Sequence, residues 1–135
     1  MVILITGITS GLGKAMACQL SSRGHKVYGT CRRDTEQIPG VTYLKADVRD
    51  RESLRNVVDS VMQSEGRIDT LIITAGMGVG GPLEFTAMED AERQMDINFM
   101  GMVRLVSLVV PIMREQRHGH IICISSIGGL MGLPY

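Results

Sequence analysis

Val2-Ile3-Leu4-Ile5-Thr6-Gly7-Ile8-Thr9-Ser10-Gly11-Leu12-Gly13 is the stretch on which the reading of this chain turns. Its first half is an unbroken aliphatic run, the pattern of a strand buried on both faces of a parallel sheet. Its second half opens a helix, and the two meet in a glycine-rich turn. A helix start carries free N–H groups and the positive end of the helix dipole, so a turn placed there suits a phosphate. Gly7 permits the tight turn, Gly11 lets the backbone approach a pyrophosphate, and Gly13 allows close packing of helix on strand.

Outward from this turn, short apolar runs alternate with helix-period segments, the signature of a parallel sheet covered by helices. Residues 11–23 read as a helix with Leu12, Ala15, Met16 and Leu20 on its inner face and Gly24 as its stop. Lys26–Cys31 reads as a second strand, and residues 41–46 as a third after the turn at Pro39-Gly40. Leu54, Val57, Val58, Val61 and Met62 then mark one face of a helix that Asp50 caps and Gly66 ends. Residues 71–73 form a fourth strand, which enters a loop holding Gly76, Gly78, Gly80 and Gly81. A long helical region over 86–117 follows, with a break expected near Gly101 and a kink at Pro111. Met95, Met100, Met102 and Met113 within it read as core fillers. Residues 120–125 close the pattern as a fifth strand. No repeat or linker divides residues 1–135, so they read as a single domain.

Composition narrows the function classes. The 135 residues hold 14 Lys+Arg against 14 Asp+Glu, so no cationic excess exists for nucleic-acid phosphates. With 44% hydrophobic residues a real core is available, and 16 Gly without a Gly-X-Y period exclude a collagen-like chain. No uninterrupted apolar run reaches the ~18 residues of a membrane span, and the first run is too short for a signal-peptide core. The expectation is a cytoplasmic protein without membrane or nucleic-acid partners. Cys18, Cys31 and Cys123 show no CxxC spacing and read as free thiols, and His25, His118 and His120 form no zinc pattern, so no metal is expected.

Four further segments follow the glycine turn in order. Asp47-Val48 comes after the third strand and Thr74-Ala75-Gly76 after the fourth. Asp96-Ile97-Asn98-Phe99-Met100-Gly101 lies in the long helix, and Gly119-His120-Ile121-Ile122-Cys123-Ile124-Ser125-Ser126 covers the fifth strand. With TGxxxGxG at residues 6–13, these resemble the ordered motifs of the short-chain dehydrogenase/reductase family. Their family counterparts are the Asp-Val pair against the adenine, Asn-Asn-Ala-Gly, VNxxG and GxIVxxSS. The resemblance spans residues 2–135. It implies an α/β fold, a doubly wound parallel (Rossmann) sheet of order 3-2-1-4-5, without the family's later strands. A dinucleotide would lie across the strand ends where the order reverses.

The implied activity is reversible hydride transfer between a nicotinamide dinucleotide and a small-molecule alcohol or ketone. The resemblance assigns cofactor contacts to Gly7, Thr9, Ser10, Gly11, Leu12 and Gly13, and further along to Asp47, Val48, Ala75 and Gly76. It gives Ser126 the polarisation of the reacting oxygen and Asn98 the support of a proton-relay water. Ser126 rather than Ser125 is selected because the family's Ser stands directly before xxG. NAD-preferring members carry an Asp at the end of the second strand. Here Cys31 stands there, followed by Arg32 and Arg33, which suit a 2′-phosphate. NADP is the expected cofactor, with NAD within the family's range. Residues 128–134 are similar to the hydroxysteroid and retinol dehydrogenase branch.

Two departures stand out. Ile73 and Thr74 replace the two Asn of Asn-Asn-Ala-Gly, which puts side-chain bracing of the central sheet in question. The family's Tyr-x-x-x-Lys would fall past Tyr135, which is too near Ser126 to be the catalytic Tyr and has no Lys after it. A Tyr, pKa ~10 unperturbed, exchanges a proton near neutrality only beside a cation such as that Lys. The chain is thus expected to be the cofactor-binding half of a longer enzyme, inactive alone. The alternative is a dinucleotide-binding or sensing module without turnover. Residues 103–113 are apolar nearly all round, with Arg104 and Ser107 as outer interruptions. The family pairs the corresponding helices with a symmetry mate, so a homo-oligomer, a dimer or tetramer and first of all a two-fold dimer, is expected. The fifth strand is expected to be an open edge beside apolar surface.

Overall fold

The computed structural model describes residues 1–132. Strands β1 (Val2–Thr6), β2 (Lys26–Cys31), β3 (Val41–Lys45), β4 (Thr70–Ile73) and β5 (His120–Cys123) form one sheet of order β3-β2-β1-β4-β5. Every pairing is parallel, with Leu4 level with Tyr28 on one side and Leu71 on the other. Parallel neighbours need crossovers, and α1 (Gly11–Ser22), α2 (Arg51–Glu65) and the helical region from Met88 to Gln116 supply them. The doubly wound expectation holds, strand order included.

Alternation along β1 divides the core. Ile3 and Ile5 point to the α1 side with Ala17, Val27 and Ile72. Val2 and Leu4 point to the other side, where Leu54, Val57 and Val61 of α2 meet Leu105, Val109 and Met113. Leu4, Leu54, Val61 and Leu71 are fully buried, each contributing roughly 1.5–3 kcal/mol by leaving water. The α2 ends follow the sequence: Asp50 accepts from the Glu52 N–H at 2.9 Å, and Gly66 takes a left-handed φ of 68°.

The inner face of α1 departs from expectation. Gly13 and Ala17 are its buried positions, with Met16 and Leu20 beside them, while Ala15 is exposed and Leu12 is 61% exposed. A Cβ on Gly13 would collide with the Gly7 carbonyl, so the helix settles on its smallest residues and turns Leu12 outward. Helical periodicity assigns the large apolar side chains to the core, and close approach overrides it.

The long helical region runs from Met88 to Gln116. Its interruption is a π-turn, Asp96–Met100, between α3 (Met88–Met95) and α4 (Gly101–Gln116), and α4 continues through Pro111. Gly101 is required there, since a Cβ would come within 2.9 Å of Val48 Cβ. By length and composition this region matches a membrane span; Leu105, Val109 and Met113 are the α4 residues it buries against the sheet. Of the expected core methionines, Met113 is buried and Met102 partly so. Met95 and Met100 are exposed: α3 buries none of its residues, and the turn that holds Met100 buries Ile97 instead. Arg104 is not an outer interruption either: its Nη2 donates to Asp96 Oδ1 at 2.6 Å and the group is half-buried. Tyr135 and the end of the 128–134 stretch lie outside the described residues.

Candidate functional site

At the carboxyl ends of β1, β2 and β4 the loops diverge and leave a cleft of about 760 Å³. That volume lies within the ~300–1,000 Å³ range of small-molecule and cofactor sites. The β1–α1 turn forms its floor. Gly7 has φ 71° and Gly11 φ 53°, and a Cβ on Gly11 would meet nothing within 4 Å. Ser10 makes no side-chain cap, so the first-turn amides of α1 keep their donors for a ligand.

The β4 end is braced despite the missing Asn pair. Thr74 Oγ1 donates to the Thr6 carbonyl, and Thr6 Oγ1 accepts from the N–H of Thr74 and of Ala75, both at 3.2 Å. A hydroxyl at each strand end thus does the work assigned to an amide. Ile73 is buried in the core.

Toward β2 and β3 the wall becomes cationic. Arg32, Arg49 and Arg93 all line the cleft. Arg49 forks onto Asp47, with Nη2 2.6 Å from Oδ2, and Arg93 donates to Asp90 at 2.7 Å. Arg32 has no carboxylate partner among the described residues. The Arg49 side chain holds the Asp47 carboxyl below the usual carboxylate range, against the opposing push of burial. Cys31, at the end of β2, is buried, and burial first and Asp34 second push its thiol up. The position therefore carries a neutral group rather than a carboxylate.

The structure brings together Gly7, Thr9, Ser10, Gly11, Leu12, Gly13, Arg32, Asp47, Val48, Ala75 and Gly76 around the cleft. Arg33 is exposed and does not line it. Asn98 does not line it either: its Oδ1 accepts from the Met77 N–H at 2.8 Å and its Nδ2 donates to the Met77 carbonyl at 2.7 Å. The π-turn carries Asn98, and Gln94 similarly accepts from the Val79 N–H, so α3 and the turn fasten the glycine-rich loop. Ser126 lies past β5, where its Oγ accepts from the Gly128 N–H at 3.1 Å and caps the short 3₁₀ turn Ile127–Gly129. That bond uses a lone pair and leaves the hydroxyl proton free to donate. Arg49, Arg93, Met77 and Ile97 also line the cleft without having been singled out in the sequence. Only Arg49 had a readable signal, its place two residues after Asp47.

The sequence model of the short chain dehydrogenase family matches residues 1–135. The chain belongs to the short-chain dehydrogenase family. It is 49% identical over 134 residues to a 3-ketodihydrosphingosine reductase of Bacteroides thetaiotaomicron, covering 99% of this chain and 50% of that protein. It is 35% identical over 150 residues to estradiol 17-beta-dehydrogenase 1 of Rattus norvegicus, covering 99% and 43%. Among solved structures, serine dehydrogenase from Escherichia coli superimposes with a TM-score of 0.90 at 33% identity, over 100% of this chain and 65% of that one. The NADP-bound structure of ElxO gives 0.91 at 27%, over 98% and 58%. The chain spans about half the length of the curated relatives it matches. As a short-chain dehydrogenase it is related to NAD(P)-dependent oxidoreductases and has their Rossmann sheet.

Proposed function

We propose that this chain is the cofactor-binding half of an NADP(H)-preferring oxidoreductase acting on an alcohol or ketone. The carrying observation is Arg32, the cleft guanidinium without a carboxylate partner among the described residues, beside the neutral Cys31. The site fits a dinucleotide in its donor set. The α1 amides and the open Gly11 suit the pyrophosphate, and Arg32 suits a 2′-phosphate through charge-assisted bonds. When bound, the cofactor supplies or accepts the hydride. Thr9, Ser10 and Leu12 complete the phosphate turn, Asp47 and Val48 the purine end, and Ala75 with Gly76 the wall toward the ribose near the nicotinamide. Arg33, exposed outside the cleft, serves at most as a second charge for the phosphate.

Ser126 donates its free hydroxyl proton to the reacting oxygen in this reading, and Asn98 holds the Met77 loop in place. The names of the relatives, a ketodihydrosphingosine reductase and an estradiol dehydrogenase, support a keto or alcohol group as the reacting one. Residues 1–135 alone are proposed to bind without turnover, since no Tyr-x-x-x-Lys follows Ser126 among them. Calorimetric titration of the purified protein tests the cofactor. NADPH should bind more tightly than NADH, and Arg32→Ala should weaken NADPH about tenfold while leaving NADH unchanged. Equal loss for both would remove the assignment.

A two-fold dimer across the outer face of α4, in the cytoplasm, completes the reading. Phe99, Met100 and Val103 are exposed on or beside that face, which supports it. Light scattering at micromolar concentration should report at least a dimer; a monomer would refute the pairing.

A further inference from the structure

Four of the six residues in the loop 76–81, which follows β4, are glycine. Glycine loses more backbone freedom on ordering than any other residue, so such a loop keeps one path only where something holds it. Packing does not hold its far half: a Cβ on Gly78, Gly80 or Gly81 would meet nothing within 4 Å. Main-chain pairing does not hold it either. Among the described residues, no backbone–backbone hydrogen bond involves 76–81. The bonds the loop does make go to two side-chain amides. Asn98 accepts from the Met77 N–H and donates to the Met77 carbonyl, as a neighbouring strand would, and Gln94 Oε1 accepts from the Val79 N–H. In an extended chain Val79 presents its N–H to the same edge as Met77, and Gln94, in the last turn of α3, meets it there. Met77 lines the cleft with Ala75 and Gly76, whereas Gln94 does not. Gln94 therefore reaches the cleft through the loop alone.

Resting on the dinucleotide reading above, we propose that Gln94 is a positioning residue for the nicotinamide half of the cofactor. Asn98 fixes the near end of the loop and Gln94 the far end, so that Gly76 and Met77 stand in place before a dinucleotide arrives. Two anchors are needed because one leaves a pivot. Held at Met77 alone, the chain turns about the glycines on either side, Gly76 and Gly78. The second anchor at Val79 stops that rotation, so the loop is ordered in the free protein rather than at the expense of binding. The adenine end lies across the cleft beside Arg32 and Asp47 and gains nothing from this loop. The acceptor oxygen is the working atom: among the described residues, the Gln94 Nε2 makes no hydrogen bond. A carboxylate of the same length should then serve as well as the amide.

Calorimetric titration of the purified protein separates the two halves of the cofactor. The probes are NADPH and adenosine 2′,5′-bisphosphate, which has the adenine end without the nicotinamide riboside. Gln94→Leu should weaken NADPH about fivefold, the loss of one hydrogen bond, and leave the bisphosphate within about 1.5-fold. Gln94→Glu, which keeps the acceptor, should hold NADPH within about twofold of the unmutated protein. Amide exchange supplies a readout that stands if Gln94→Leu does not fold. In the unmutated, ligand-free protein the Val79 amide should be protected although it lies in a loop, and NADPH but not the bisphosphate should slow it further. Equal losses for both probes in Gln94→Leu would mean that Gln94 only stabilises α3 and would overturn the proposal. So would an unchanged NADPH affinity in Gln94→Leu, a fivefold loss in Gln94→Glu, or an unprotected Val79 amide. Binding of neither probe by the unmutated protein would instead overturn the dinucleotide reading on which the proposal rests.

Discussion

β1 and β5 both carry isoleucines at their centres and end in opposite environments. All five residues of Val-Ile-Leu-Ile-Thr in β1 are buried, whereas all four of His-Ile-Ile-Cys in β5 are exposed, Ile122 at 45%. β1 has β2 and β4 as neighbours, α1 over one face, and α2 with α4 over the other. β5 pairs with β4 alone. A β-branched run encodes the strand, and its burial is encoded in whatever the chain lays beside it. The cleft follows the same divide: its glycine turn leaves the fully buried β1 and Arg32 the almost fully buried β2, whereas Ser126 follows the exposed β5.

The strongest test of that divide pairs one residue from each strand. Leu4→Ala empties a fully buried position facing Leu54, Leu71 and Leu105 and should cost about 3–5 kcal/mol. Ile122→Ala removes a similar volume from a half-open position and should cost less than about 1 kcal/mol. Urea unfolding of both variants reads the difference. Equal costs would mean that β5 is as enclosed as β1.

Much of this arrangement was legible beforehand, because it follows from local signals. Asp50 and Gly66 bracket α2 by capping chemistry, the valines of α2 keep a strict helical period, and the glycine turn locates the cleft. What escaped the reading depends on contacts between distant segments. Leu12 has the apolarity of a core residue, and only the clash between a Gly13 side chain and Gly7 decides that it faces the cleft. Arg104 looks like a surface charge until α4 is seen beside Asp96 and the Val48 carbonyl. The Asn98 amide bonds both backbone groups of Met77, and nothing in its own neighbourhood announces a partner so far along the chain. Thr74 stands where the family has Asn, and its bracing role becomes visible only once Thr6 is found opposite.

A smaller effect sharpens the same contrast from the other end of the strands. Asp69 opens β4 and is almost fully buried; its Oδ2 accepts from the Val2 N–H of β1 at 2.8 Å, while its backbone carbonyl accepts from the His120 N–H of β5 at 2.9 Å. The central strand is thus held by a titratable group and the edge strand by one that does not titrate. Burial pushes the Asp69 carboxyl up, but the Val2 N–H and the Arg67 guanidinium, 2.8 Å away through Nε, outweigh it and hold the group below its ordinary value. A carboxyl depressed in the folded state contributes stability that is complete above its unfolded pKa of about 3.9 and is lost as pH falls through the lower folded value. Unfolding free energy should therefore decline with acid in that window. Asp69→Asn, which cannot titrate there, should be less stable at neutral pH and should lack this part of the acid decline. Amide exchange at Val2 should accelerate before that at His120 as the carboxyl takes its proton. Parallel acid profiles for the two proteins would show that the β1 clamp does not depend on the charge of Asp69.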